Sequence, residues 1–144
     1  MKNYKIRLAK QKDVDSIVLL NKEGLKSYKW SYDKHYIRMA VSHGNYYVIC
    51  TECGVIGAIK FFLQKNWLWI STMVISKEHR GKGYAKNLLK FAINKARRHG
   101  YNRIRLDTMT TARVGKFYNK MGYTLINEET YYGRKYKLFE KVIS

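Results

Sequence analysis

Apolar and polar positions change rhythm several times along the chain, and each change marks an element. Tyr4–Ala9 reads as a first strand, and a stripe at Val14, Ile17, Val18 and Leu20 begins a helix with Asp13 as its candidate N-cap. Residues 28–36 are aromatic and polar, and a second helix is expected over about 32–43, before Gly44. Tyr46–Thr51 and Val55–Leu63 flank Glu52-Cys53-Gly54, which is a hairpin signal, and Trp67–Ile75 forms the next strand. Ala85, Leu88, Leu89, Ala92, Ile93 and Ala96 follow in steps of three and four, giving a helix that runs to His99 and stops at Gly100. Arg103–Thr108 reads as a strand, Ala112–Met121 as a helix closed by Gly122, and Tyr123–Asn127 with Tyr132–Val142 as a final strand pair. The order predicts a single α/β domain over 1–144, with a mixed, mostly antiparallel sheet and helices on both faces.

Composition bounds the class. A chain of 144 residues suits one core. No apolar run approaches a membrane span, so no membrane partner is expected. Met1–Lys5 lacks the apolar stretch of a signal peptide, which makes a cytoplasmic location the expectation, as monomer or homodimer. Cys50 and Cys53 form a C-x-x-C where a strand enters a turn; without a helix start or further ligands nearby they read as reduced thiols and no metal site is expected. Net charge is +19, and residues 77–105 carry ten Lys/Arg against Glu78 alone. That balance favours polyanionic partners, coenzyme or RNA among them, over a neutral surface.

The chemistry concentrates at residues 73–89. The apolar Met73-Val74-Ile75 runs into a polar loop, then Arg80-Gly81-Lys82-Gly83, then an amphipathic helix. Glycines there can take positive φ and admit a ligand to the main chain. The free N–H groups and positive dipole of a helix start favour an anion, most naturally a pyrophosphate. Arg80 and Lys82 add charge beside it. The Gly-Lys-Ser/Thr ending of a P-loop is missing, and no strand-borne acid follows at the dinucleotide spacing. The plain alternative is a glycine-containing loop before a surface helix.

The spacing Arg80-x-x-Gly83-x-Ala85 after that strand resembles the acetyl-CoA motif of the GCN5-related N-acetyltransferase (GNAT) family. Lys116-Phe117-Tyr118-Asn119-Lys120-Met121-Gly122-Tyr123 is similar to the family's late helix, and Ile6–Asp13 to its first strand and helix cap. The resemblance implies a splay between the fourth and fifth strands, Trp67–Ile75 and Arg103–Thr108, with acetyl-CoA as cosubstrate in the gap. By the same resemblance, the main chain of Met73, Val74 and Ile75 holds the pantetheine arm, and Arg80, Gly81, Lys82, Gly83, Tyr84, Ala85 and Lys86 surround the pyrophosphate. Thr111 stands where relatives often carry a coenzyme-contacting asparagine; threonine can cap the helix and still donate a hydrogen bond.

Acetyl transfer needs a polarised carbonyl, a neutral amine and a proton for the departing thiolate. From its stripe with Val114, Phe117 and Met121, Tyr118 reads as a packed core tyrosine; the resemblance makes it the proton donor. A backbone N–H near Met73 or Val74 would polarise the carbonyl, again by resemblance. The strand Trp67–Ile75 carries no carboxylate for a base, and Asp33, His35, Asp107, Glu128 and Glu129 each read first as solvated charge. Tyr28, Trp30, Tyr32, Tyr36, Tyr131 and Tyr132 divide evenly between core cover and substrate groove. The resulting expectation is an acetyl-CoA-dependent N-acetyltransferase acting on a primary amine of a small molecule, peptide or protein. The alternatives are an acetyltransferase for aminoacyl-tRNA or a ribosome-associated protein, and a non-catalytic acyl-CoA-binding module.

Overall fold

A computed structural model describes residues 3–25, 29–109 and 112–143. Its elements are β1 (Lys5–Leu8), α1 (Val14–Gly24), α2 (Lys34–Ser42), β2 (Tyr46–Thr51), β3 (Gly54–Leu63), β4 (Leu68–Ile75), α3 (Tyr84–Arg98), β5 (Arg103–Met109), α4 (Ala112–Lys120), β6 (Thr124–Tyr131) and β7 (Arg134–Val142). The strands form a mixed seven-stranded sheet in the order β1-β2-β3-β4-β5-β7-β6. The recorded pairings are antiparallel except β4 with β5, where Leu68, Trp69 and Ile70 face Ile104, Arg105 and Leu106 in parallel. Two compact units divide the chain: unit one is residues 1–61 with 72–91, and unit two is 62–71 with 92–144.

In unit one, Val14, Ile17 and Leu20 of α1 and Ile37 and Val41 of α2 close over Tyr46, Val48, Ala58 and Val74. Tyr47, on the opposite face of β2, meets Phe91 of α3 at 4.9 Å between ring centroids. Helices therefore cover both faces of this part of the sheet. A buried polar link crosses the core: Asn21 Nδ2 donates to the Ser31 carbonyl at 2.6 Å and to the Tyr46 hydroxyl at 2.9 Å.

Asp13 precedes α1 as expected, but its carboxylate does not cap that helix. It accepts from both Arg7 guanidinium nitrogens, at 2.7 and 3.0 Å, and from the Lys10 N–H at 2.8 Å. These bonds hold the Asp13 carboxyl below the usual carboxylate range, the Arg7 bond contributing most. The second helix starts later than the expected 32, at Lys34, because Asp33 caps it: one carboxylate oxygen accepts from the N–H groups of His35 and Tyr36.

In unit two, β5, β7 and β6 form the antiparallel end of the sheet. The expected break after Asn127 is absent, and β6 continues to Tyr131. The chain reverses at Tyr132-Gly133, both at positive φ (50° and 75°), the twist a two-residue hairpin turn requires. The polar run Glu128-Glu129-Thr130 belongs to an edge strand whose side chains stay largely in solvent, so it carries no apolar alternation to read.

Candidate functional site

The segment from β4 to α3 lies within unit one, and its main chain is tied in place. Ser76 N–H donates to the Ile56 carbonyl at 2.8 Å, and the Ser76 hydroxyl meets His79 Nδ1 at 2.6 Å. Lys77 N–H donates to Glu23 at 3.0 Å. Arg80 folds back on the strand: its Nε donates to the Ile75 carbonyl at 2.9 Å, and its guanidinium lies 3.8 Å from Glu23. Arg80 thus fixes the loop as well as charging it.

Beyond Arg80 the chain opens. Gly81 and Gly83 have φ of 76° and 88°, a region that penalises any side chain. A Cβ at Gly81 would meet nothing within 4 Å, so the main chain there is approachable. Asn87 N–H bonds to the Gly83 carbonyl at 3.1 Å, which makes Gly83 the cap of α3 and leaves the N–H groups of Tyr84, Ala85 and Lys86 without partners in the helix. Lys82 and Lys86 are exposed beside them. Tyr84 is 5% exposed, its ring packed edge-on to Tyr4 and His79, so its main chain and not its phenol faces a ligand. A cavity of about 840 Å³ adjoins the loop, with Thr51, Cys53, His79 and Lys82 in its walls. N–H donors without helix partners, an open glycine and two exposed lysines form a donor set that fits a pyrophosphate. Val74 and Ile75 turn buried side chains to the core.

Tyr118 lies in unit two on α4, 8% exposed. Its ring packs against Phe117, Tyr123 and Phe139 at centroid distances of 5.1, 5.5 and 5.6 Å. Beside it, the Tyr123 hydroxyl is buried with no hydrogen-bond partner among the described residues. Burial, and then the charge of a Tyr118 phenolate, push the Tyr123 phenol up. Thr111 and Tyr28 lie outside the described residues. Trp30 is half-exposed, with Lys60 Nζ 4.9 Å from its ring centroid, while Tyr36 and Tyr132 face solvent.

Sequence reasoning missed a second feature, entirely within unit two. A cavity of about 300 Å³ opens on the face of the sheet away from Phe139, walled by Trp67 and Trp69, Arg105 and Asp107, Tyr136 and Leu138, and Glu129 and Tyr131. The signal is i, i+2 spacing repeated on neighbouring strands, but only register brings the pairs together: Trp69 faces Arg105, Asp107 faces Leu138 and Glu129 faces Tyr136. Burial raises the Asp107 carboxyl above its usual value, and the charge of Glu129 adds to this. Both residues stand among the candidate bases named above; the other three lie on exposed strand or helix-start positions.

Among the described residues, no helix is long and apolar enough to cross a membrane. Cys50 and Cys53 are free thiols.

Comparison with solved structures gives the same fold. The chain superposes on an N-acetyltransferase, PaiA, from Thermoplasma acidophilum in complex with coenzyme A, with TM-score 0.83 and 20% identity over 97% of this chain and 99% of that one. Ard1 from Thermoplasma volcanium gives TM-score 0.85 and 17% identity, covering 98% of each chain. The ribosomal-protein-S18-alanine N-acetyltransferase from Escherichia coli gives 0.82 and 10%, over 99% of this chain and 95% of that one. The family model described as acetyltransferase (GNAT) family matches residues 13–123, which include the loop, α3 and Tyr118, and the chain accordingly belongs to the GNAT acetyltransferase family, whose acyl donor is acetyl-CoA.

Proposed function

We propose that residues 1–144 form one N-acetyltransferase domain that moves the acetyl group of acetyl-CoA to a primary amine by direct attack in a ternary complex. The observation that carries this reading is the loop from Ile75 to Lys86, with its two positive-φ glycines, its helix-start N–H groups that have no partner within the helix, and its tied Arg80. The N–H groups of Tyr84, Ala85 and Lys86 hold the pyrophosphate, with Gly81 and Gly83 giving access and Lys82 and Lys86 supplying charge. Met73, Val74 and Ile75 bind the pantetheine arm through their main chain, and Thr111 adds a side-chain contact to the coenzyme. Bound acetyl-CoA supplies the activated acyl group. A main-chain N–H at Met73 or Val74 polarises its carbonyl. Tyr118 donates a proton to the departing thiolate. The amine attacks in its neutral form, since a lysine-type amine has a pKa of about 10.4. Free cysteines agree with a cytoplasmic setting for this activity.

Calorimetric titration with acetyl-CoA tests the reading. Wild type binds, and the folded double variant Gly83→Asp/Ala85→Asp does not; a well-folded wild type that fails to bind ends it. Intersecting initial-velocity lines are expected, since parallel lines belong to a covalent acyl-enzyme. Tyr118→Phe is expected to retain coenzyme affinity and lose about 100-fold in turnover. Unchanged turnover would remove Tyr118 from the mechanism.

One observation favours a second acceptor class. The net charge is +19, and Lys82, Lys86, Lys90 and Arg97 are all exposed along one segment. An acceptor carried by RNA or by the ribosome would use that surface, and the similar Escherichia coli enzyme is named for a ribosomal protein. RNA affinity falling by about 0.7–0.9 log unit per log of salt for each phosphate contacted supports this acceptor, and salt-insensitive or absent binding rejects it.

A further inference from the structure

We propose that the open sheet face of unit two is a binding site for an organic ammonium group, boxed by Trp67, Trp69, Tyr131 and Tyr136 and neutralised by Asp107 and Glu129. In a chain of net +19, these two carboxylates have no ion-pair partner among the described residues. Glu129 accepts from neutral donors, Asn127 Nδ2 at 3.2 Å and the Tyr131 hydroxyl. The neighbouring arginines are already committed elsewhere: Glu140 accepts from Arg105 Nε at 2.7 Å and from Arg103 at 3.1 Å. Glu140 carries one charge against those two guanidiniums, so a cation entering the cavity would find a net single negative charge among Asp107, Glu129, Glu140, Arg103 and Arg105.

The walls suit the same ligand. Aromatic faces attract ammonium and guanidinium groups through their quadrupoles. The protein uses this chemistry within the cavity itself, where the Arg105 guanidinium carbon lies 4.1 Å from the Trp67 ring centroid. Burial and the Glu129 charge both raise the Asp107 carboxyl, and a bound cation would relieve the second and offset the first. A volume of about 300 Å³ admits a short alkylammonium. Nucleotide phosphates are disfavoured there by the same carboxylates that favour an amine.

The inference rests on the transferase reading only in calling this cation part of the acceptor, which then carries a second ammonium besides the amine acetylated. The chemical class is an alkyl diamine. Binding can be measured without acetyl-CoA, so the two readings fail separately.

The test is titration of the full chain, in a Trp30→Phe background, with 1,4-diaminobutane and with 1,4-butanediol, following the fluorescence of Trp67 and Trp69. The diamine is expected to saturate, and the diol to bind at least about tenfold more weakly. Asp107→Asn/Glu129→Gln should weaken the diamine by about tenfold or more and leave acetyl-CoA binding unchanged. Glu129→Gln alone, a change on the edge strand, provides the same comparison if the double variant fails to fold. Equal binding of diol and diamine, or diamine binding indifferent to the carboxylates, overturns the proposal. Diamine saturation in a protein that fails to bind acetyl-CoA upholds the cation site and removes its link to an acceptor.

Discussion

The loop before α3 and the open face of the unit-two sheet are built from different materials. The loop is main chain: its proposed ligand groups are N–H donors, beside positive-φ glycines and at a helix start. The sheet face is side chain: indoles, phenols and carboxylates from four strands, assembled by register. As proposed, one site would read a phosphate through fixed dipoles, while the other offers aromatic walls and negative charge. A main-chain site depends on backbone conformation and tolerates changes in most side chains around it. A side-chain site depends on who stands opposite whom, and a neighbour's pairing can retune it.

The largest effect should come from attacking the main-chain site directly. Gly83→Asp/Ala85→Asp places two carboxylates against the pyrophosphate donors and should weaken acetyl-CoA by at least about 100-fold in calorimetry, with the cation site untouched. Gly57→Ala strikes the same region from behind. A Cβ there would lie 2.8 Å from the Val74 carbonyl oxygen and 2.7 Å from Ile75 Cδ1. Backbone cannot yield as a side-chain end can, so chemical denaturation should report a loss of about 2 kcal/mol. Next comes pH. Diamine binding should hold at neutral pH and fall, by about tenfold, as pH drops through an Asp107 value lying above the ordinary carboxylate value of about 3.9, because protonation removes the attracting charge. Acetyl-CoA binding, if it uses the proposed N–H groups and lysines, should not follow that profile. The smallest effect is expected from Glu140→Gln. Burial raises the Glu140 carboxyl, but Arg105 and Arg103 more than offset this and hold it below the usual range. Losing the charge should cost about 1 kcal/mol in thermal denaturation. It should also release Arg105 toward Asp107 and weaken the diamine, which would show that pairing sets the second site.

This contrast explains what could be read from the residues. Gly81, Gly83 and the stripe from Ala85 to Ala96 are contiguous, and a local pattern suffices to predict a loop, a helix start and a site. The order of elements along the chain and the late helix followed from the same local signals, whereas the burial of the Tyr84 ring against Tyr4 is a long-range fact that no local pattern announces. Asp107 and Glu129 each look like solvated charge in isolation; their partnership with Trp67 and Trp69 exists only once four strands are in register. Asp13 shows the same principle in the fold. Its position announces a cap, yet Arg7 claims the carboxylate from the neighbouring strand. Local chemistry proposes a role, and tertiary pairing can reassign it.

The ties behind the glycines carry a kinetic consequence. Ser76 on Ile56, Lys77 on Glu23 and Arg80 on Ile75 hold the approach to α3 in shape through bonds internal to the protein. The anion nest is therefore preorganised, and a ligand arriving there does not have to order the segment that receives it. Association should run at the pace of encounter, quickened by the surrounding positive field and slowed by added salt. Cutting one tie, as Glu23→Ala would by removing the acceptor of the Lys77 N–H, should then show itself as a slower and more entropically opposed capture, with the contacts of the bound state unaltered.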